Sequence, residues 1–91
     1  NPEDSFLNYA IALERAKANN VKEAIAIIEK VIEKDSEYLG AYYQLGKLYE
    51  QNFQPEMAVD IYRKGMELAR VKNDLRTFGE MEEALMIIGE L

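Results

Sequence analysis

Sliding the chain against itself by 34 residues brings Tyr9 onto Tyr43, Ala24 onto Ala58, Ile27 onto Ile61, Lys30 onto Lys64 and Glu33 onto Glu67. The matches are few, but they fall in phase with the apolar pattern. A fixed period of this length is the mark of stacked helical hairpins. Apolar residues recur at spacings of three and four throughout, and no stretch sustains an alternation of period two. The chain therefore reads as all helix. Ala24 and Ala58 put a small residue at the same place in each unit, where two helices can come close.

Local signals set the boundaries. Asn1-Pro2-Glu3-Asp4 offers a cap, a proline tolerated at the first helical position and early acids. Asn20-Val21-Lys22-Glu23 resembles a capping box after a turn at Asn19-Asn20. Asp35-Ser36 opens a third helix and Pro55 fits the first turn of a fourth. Asn73-Asp74 supplies a left-handed C-terminal cap and then a fresh N-cap. The expectation is five helices near 3–18, 21–34, 37–51, 55–72 and 75–90, with short connections that make neighbours antiparallel. The 91 residues allow one domain, divided into repeat one at 5–38, repeat two at 39–72 and a closing helix at 75–90.

The second unit carries the run Tyr42-Tyr43-Gln44-Leu45-Gly46-Lys47-Leu48-Tyr49, followed by Ala58, Tyr62 and Gly65. This resembles the tetratricopeptide repeat (TPR) pattern W-x₂-L-G-x₂-Y with its later alanine, aromatic and small residue. Arg70 stands where that family usually has proline, so the fourth helix is expected to run on for another turn. The first unit is more diverged: Asn8 replaces the first aromatic, Ile11 and Ala12 replace Leu-Gly, and Arg15 replaces the tyrosine. Ala24, Ile28 and Val31 follow the later pattern, and Ser36 lies at the proline. Phe78, Met81 and Leu85 fill the large positions of a further helix if two residues are inserted before it. The resemblance implies an all-α, right-handed α-solenoid of two helix-turn-helix repeats plus a C-terminal capping helix.

Helical phase supports the motif independently. Tyr42, Leu45, Gly46 and Tyr49 stand at i, i+3, i+4 and i+7, one stripe on a helix, with Ala58 and Tyr62 as the matching stripe on the next. Gly46 weakens its helix by about 0.8–1 kcal/mol relative to alanine. Close approach of the two backbones offsets that cost through many contacts of ~0.1–0.2 kcal/mol each.

Tyr43 is rotated off that stripe by about 100°. Its own line runs through Lys47 to Glu50 or Gln51, and the equivalent line in repeat one is Phe6, Tyr9, Leu13 and Lys17. In the resembled family the first helix of each hairpin lines a concave groove, so these residues are the expected partner-binding face. Tyrosine there offers large contact area at low entropy cost. The plain alternative is that Tyr9 and Tyr43 simply pack between adjacent helices. The family's two-carboxylate clamp for chaperone tails would fall on Tyr9, Leu13, Gln44, Arg76 and Glu80, or on Asp74 and Phe78 without the insertion. Neither register supplies the required Lys and Asn set, so chaperone-tail binding is not expected.

Charge and chemistry narrow the function further. The net charge of −6 is concentrated after residue 72, where five acids face Arg76 alone. An acidic chain is a poor match for a phosphate backbone, so no nucleic acid is expected. Glu80-Met81-Glu82-Glu83 reads as a solvated face, or as a cluster that steers a basic segment. With no histidine, no cysteine, two serines and one threonine, nucleophilic triads are excluded. There is no glycine-rich phosphate loop and no loop of spaced acids, so no cofactor and no metal is expected. The reading is non-catalytic: a scaffold module that binds a peptide or protein segment.

The longest apolar run, Ala84 to Ile88, is far too short to span a bilayer, and no signal peptide is visible. A cytoplasmic setting with no membrane partner is the corresponding expectation. On the closing helix, Phe78, Met81, Leu85 and Ile88 form an inward stripe that leaves out Met86, Ile87 and Leu91. Either the natural chain continues beyond Leu91, or scattered apolar residues are exposed, or these three form a homodimer or docking surface. Self-association through this helix is the alternative function.

Overall fold

The computed structural model describes residues 4–90 as five helices and no strand. They are α1 (Ser5–Lys17), α2 (Val21–Lys34), α3 (Leu39–Gln51), α4 (Pro55–Val71) and α5 (Leu75–Ile88). Each helix packs on the next in sequence, and α3 also touches α5. The body measures 36 × 29 × 17 Å. As the substitution of Arg70 for proline implies, α4 runs to Val71 and is three residues longer than α2, close to one extra turn.

Four helices stop by the same device. At the ends of α1, α3 and α4, Asn19, Phe53 and Asn73 take left-handed φ values of 65°, 58° and 58°. The following amide then reaches back to a carbonyl five residues earlier: Asn20 to Arg15 at 2.8 Å, Gln54 to Tyr49 at 2.9 Å, Asp74 to Ala69 at 2.8 Å. Glu90 does the same to Leu85 at 2.9 Å, beyond Gly89 at φ 94°. These are Schellman closures, which satisfy carbonyls that the helix end leaves bare.

The helix starts agree with expectation in part. Pro55 occupies the first turn of α4, and Asp74 caps α5 by accepting from the Thr77 amide at 3.0 Å. Asp4 caps α1 through the Leu7 amide at 2.9 Å, while Asn1, Pro2 and Glu3 lie outside the described residues. Two expectations fail. Asn20 stands at the N-cap of α2 but makes no side-chain cap bond, and Glu23 turns instead to Arg15, 3.3 Å away. Asp35-Ser36 does not open α3, because Asp35 closes α2 with its amide on the Val31 carbonyl at 2.8 Å. The next helix starts at Leu39, after Tyr38.

The core is a line of small residues filled by a few large ones. Ala12, Ala24, Ala41, Ala58 and Ala69 are fully buried, together with Ile28, Tyr62, Met81 and Leu85. The stripe Tyr42, Leu45, Gly46 and Tyr49 is buried as its phase requires. Gly46 faces the ring of Tyr62, and a Cβ placed on it would lie 2.6 Å from Tyr62 Cδ1. Gly65 does the same for α5: an added Cβ would sit 2.9 Å from Met81 Cε and 2.8 Å from Tyr42 Cβ. Glycine at these two places lets α3, α4 and α5 close around large side chains.

Candidate functional site

Tyr9 carries α1 onto α3. A Cβ at Gly40 would lie 3.6 Å from the Tyr9 hydroxyl, and the Gln44 side chain lies near that hydroxyl. The Tyr9 ring also lies against Tyr38, with centroids 5.2 Å apart and planes tilted by 47°. Burial first, and then the nearby Tyr38, push its pKa above the ordinary tyrosine value. The side chain is half-buried and braced from three directions.

Tyr43 is braced from the other side of α3. Its ring stands 6.2 Å from that of Tyr62, tilted by 42°, and the Lys47 ammonium lies 5.7 Å from its centroid. That distance is within range of a cation–π attraction. Glu50, one turn on, accepts the Tyr62 hydroxyl at 2.5 Å, so this carboxylate already serves an internal bond. The two neighbouring tyrosines separate by phase: Tyr42 is buried and donates to the Ser36 carbonyl at 2.6 Å, whereas Tyr43 is half-buried.

The remaining residues of the expected face are distributed as follows. Phe6 is 70% exposed, Leu13 is half-buried, and Lys17, Lys47 and Gln51 are exposed. Tyr38, which the repeat pattern passes over, joins Tyr9. The 34-residue shift sets Tyr38 over Asp4, so nothing in the periodicity marks it. Of the clamp positions, Arg76 and Glu80 pair with each other at 3.8 Å. On the closing helix Met86 and Ile87 are 62% and 79% exposed, and Leu91 lies outside the described residues. Glu80, Glu82 and Glu83 are exposed, while Met81 between them is fully buried.

Among the described residues no cluster of acids is grouped as a metal site, and no helix is long and apolar enough to cross a membrane. The buried hydroxyls of Tyr49 and Tyr62 are the groups most displaced from their ordinary pKa. Burial raises both, and hydrogen bonds to Glu29 and Glu50 raise them further. Both bonds join helices: Tyr49 to Glu29 at 2.6 Å crosses from α3 to α2, and Tyr62 to Glu50 from α4 to α3. They hold the frame on which the half-buried tyrosines stand.

Two like-sized hairpins stacked in series, closed by one more helix, define a helical-repeat protein. Comparison with known proteins gives the family. The model of the tetratricopeptide repeat matches residues 39–72, the same span as the expected second repeat. The solution structure of a tetratricopeptide repeat domain protein from Salinibacter ruber is 40% identical, with a TM-score of 0.89 over 94% of this chain and 87% of that one. A crystal structure of such a domain protein from the same organism is 38% identical, with a TM-score of 0.89 over 97% of this chain and 98% of that one. No curated protein matches the chain. The chain belongs to the tetratricopeptide repeat family, whose domains generally bind other proteins.

Proposed function

We propose that the chain is a non-catalytic module that binds a peptide or protein segment against the first helices of its hairpins, with Tyr9 and Tyr43 as the central contacts. The observation that carries this reading is the bracing of both rings. Tyr9 lies against Tyr38 and the α3 backbone at Gly40, and Tyr43 against Tyr62 and Lys47, yet each ring stays half-buried. A ring already fixed in place loses little side-chain freedom when a partner covers it. Phe6, Leu13, Lys17, Lys47 and Gln51 border the two rings in this reading, and Glu50 supports Tyr62 from behind.

The test is a pull-down that compares the wild type with the Tyr9→Ala, Tyr43→Ala double variant. Partner capture falls sharply in the variant while its sedimentation stays that of the wild type. Equal capture by both would end the reading.

The exposure of Met86 and Ile87 favours a second reading, self-association through α5, in which Leu91 is also expected to take part. Sedimentation at several concentrations decides it. A monomer at high concentration excludes a stable dimer, and charged residues at Met86 and Ile87 would dissolve one if it forms.

A further inference from the structure

Tyr62 of α4 rests on three residues of α3. Its ring stands beside Tyr43, it covers Gly46, and its hydroxyl bonds Glu50. A shift of 36 residues lays α3 on α5, bringing Tyr42, Leu45, Leu48 and Tyr49 onto Phe78, Met81, Ala84 and Leu85. The register is sound in three dimensions, since Leu45, Leu48 and Tyr49 are buried and so are Met81, Ala84 and Leu85. The same shift carries Tyr43, Gly46 and Glu50 onto Gly79, Glu82 and Met86, and Leu39 onto Leu75.

These four residues of α5 form one stripe at i, i+4, i+7 and i+11, the face that on α3 is covered by α4. On α5 none of the described residues covers it. Leu75 is 73% exposed and Met86 62%, and a Cβ on Gly79 would meet no atom within 4 Å. The chemistry of the stripe differs from α3 at its centre, where Glu82 replaces the glycine that admits Tyr62. Neither Glu82 nor the adjoining Glu83 has an ion-pair partner among the described residues, and Arg76, the one base of α5, is turned to Glu80.

We propose that this face of α5 docks an amphipathic helix of another protein, with its apolar stripe on Leu75, Gly79 and Met86 and a Lys or Arg set against Glu82 and Glu83. A helix is the shape that the matching face of α3 accepts, and Gly79 lets it approach closely. The charge argues for a basic partner over a second copy of this chain. A two-fold contact through α5 would bring the same unpaired acids together from both sides, and like charges across an interface oppose it.

The test uses a synthetic helix of leucines on one face flanked by lysines, and the same helix with glutamates in place of the lysines. Amide shifts of the isotope-labelled protein locate the contact. The lysine helix shifts Leu75, Gly79 and Met86 and leaves Tyr9 and Tyr43 unmoved. The glutamate helix does not bind. Glu82→Lys weakens the lysine helix about fivefold or more, the scale of one lost ion pair of about 1 kcal/mol, and Met86→Lys does so too. Both positions are exposed, so circular dichroism stays that of the wild type. Four results overturn the proposal: no binding, equal binding of both helices, shifts on α1 and α3 instead, or a sedimenting dimer that Met86→Glu dissolves. The Tyr9→Ala, Tyr43→Ala variant binds the lysine helix as the wild type does, so this test and that of the tyrosine face fail separately.

Discussion

Gly46 and Gly79 are both glycines within helices, and intrinsic propensity says the same of each: alanine would be better by about 0.8–1 kcal/mol. Their surroundings set opposite outcomes. Gly79 has nothing within 4 Å of a would-be Cβ, so Gly79→Ala raises stability by about that amount. Gly46 lies under the fully buried Tyr62 ring, which has no room to move, so Gly46→Ala lowers stability by about 1–3 kcal/mol despite the better propensity. Gly46→Leu costs at least as much. Urea titrations of the variants check both signs, and a stabilised Gly46→Ala would show that the α3–α4 contact is looser than described. The sequence shows that Gly46 needs room, because it lies on the Tyr42–Leu45–Tyr49 stripe. It does not reveal that the neighbour is Tyr62, since phase ranks Ala58 and Tyr62 equally.

Helix ends were legible where a residue's own chemistry matches its conformation, and illegible elsewhere. Asn73-Asp74 is such a match, since asparagine tolerates the left-handed region and aspartate accepts an amide bond. Phe53 is the counterexample. It holds the same left-handed place as Asn19, 34 residues earlier, although a Cβ there is unfavourable by about 1–2 kcal/mol. Its ring is 91% exposed, so no burial offsets the strain. Phe53→Gly is therefore expected to raise the melting temperature, by about 1 kcal/mol of stability; an unchanged or lower melting temperature would contradict the strain. Asp35-Ser36 misleads for a related reason, because aspartate serves at either end of a helix and only the three-dimensional register of α2 on α3 decides which. In the candidate site, Tyr9 and Tyr43 follow from period and phase. Tyr38 sits in a connection that the period does not govern, and its contact with Tyr9 depends on how one hairpin leans on the next.

At the scale of the molecule, the tyrosine hydroxyls couple stability to alkaline pH. Tyr9, Tyr38, Tyr42, Tyr49 and Tyr62 are all raised above the ordinary value of 10.0, with burial the first cause in each. An unfolded chain ionises its tyrosines near that value, while the folded one keeps Tyr49 and Tyr62 protonated well beyond it. The stabilising contribution is thus complete below pH 10 and declines as pH rises above it. Melting temperature should stay level up to about pH 10 and then fall, less steeply in Tyr49→Phe and Tyr62→Phe. A fall of equal slope in those variants would assign the effect to other groups.

The order in which the helices touch also governs how the molecule comes into being. Every helix finds its main partner next in sequence, so no distant ends have to meet before contacts begin to form. Chains of this kind cross their folding barrier in about microseconds to milliseconds, against about 5–20 residues added per second in synthesis. On the ribosome, the first hairpin can therefore settle as soon as α2 has emerged. Each later helix then meets a surface that is already built.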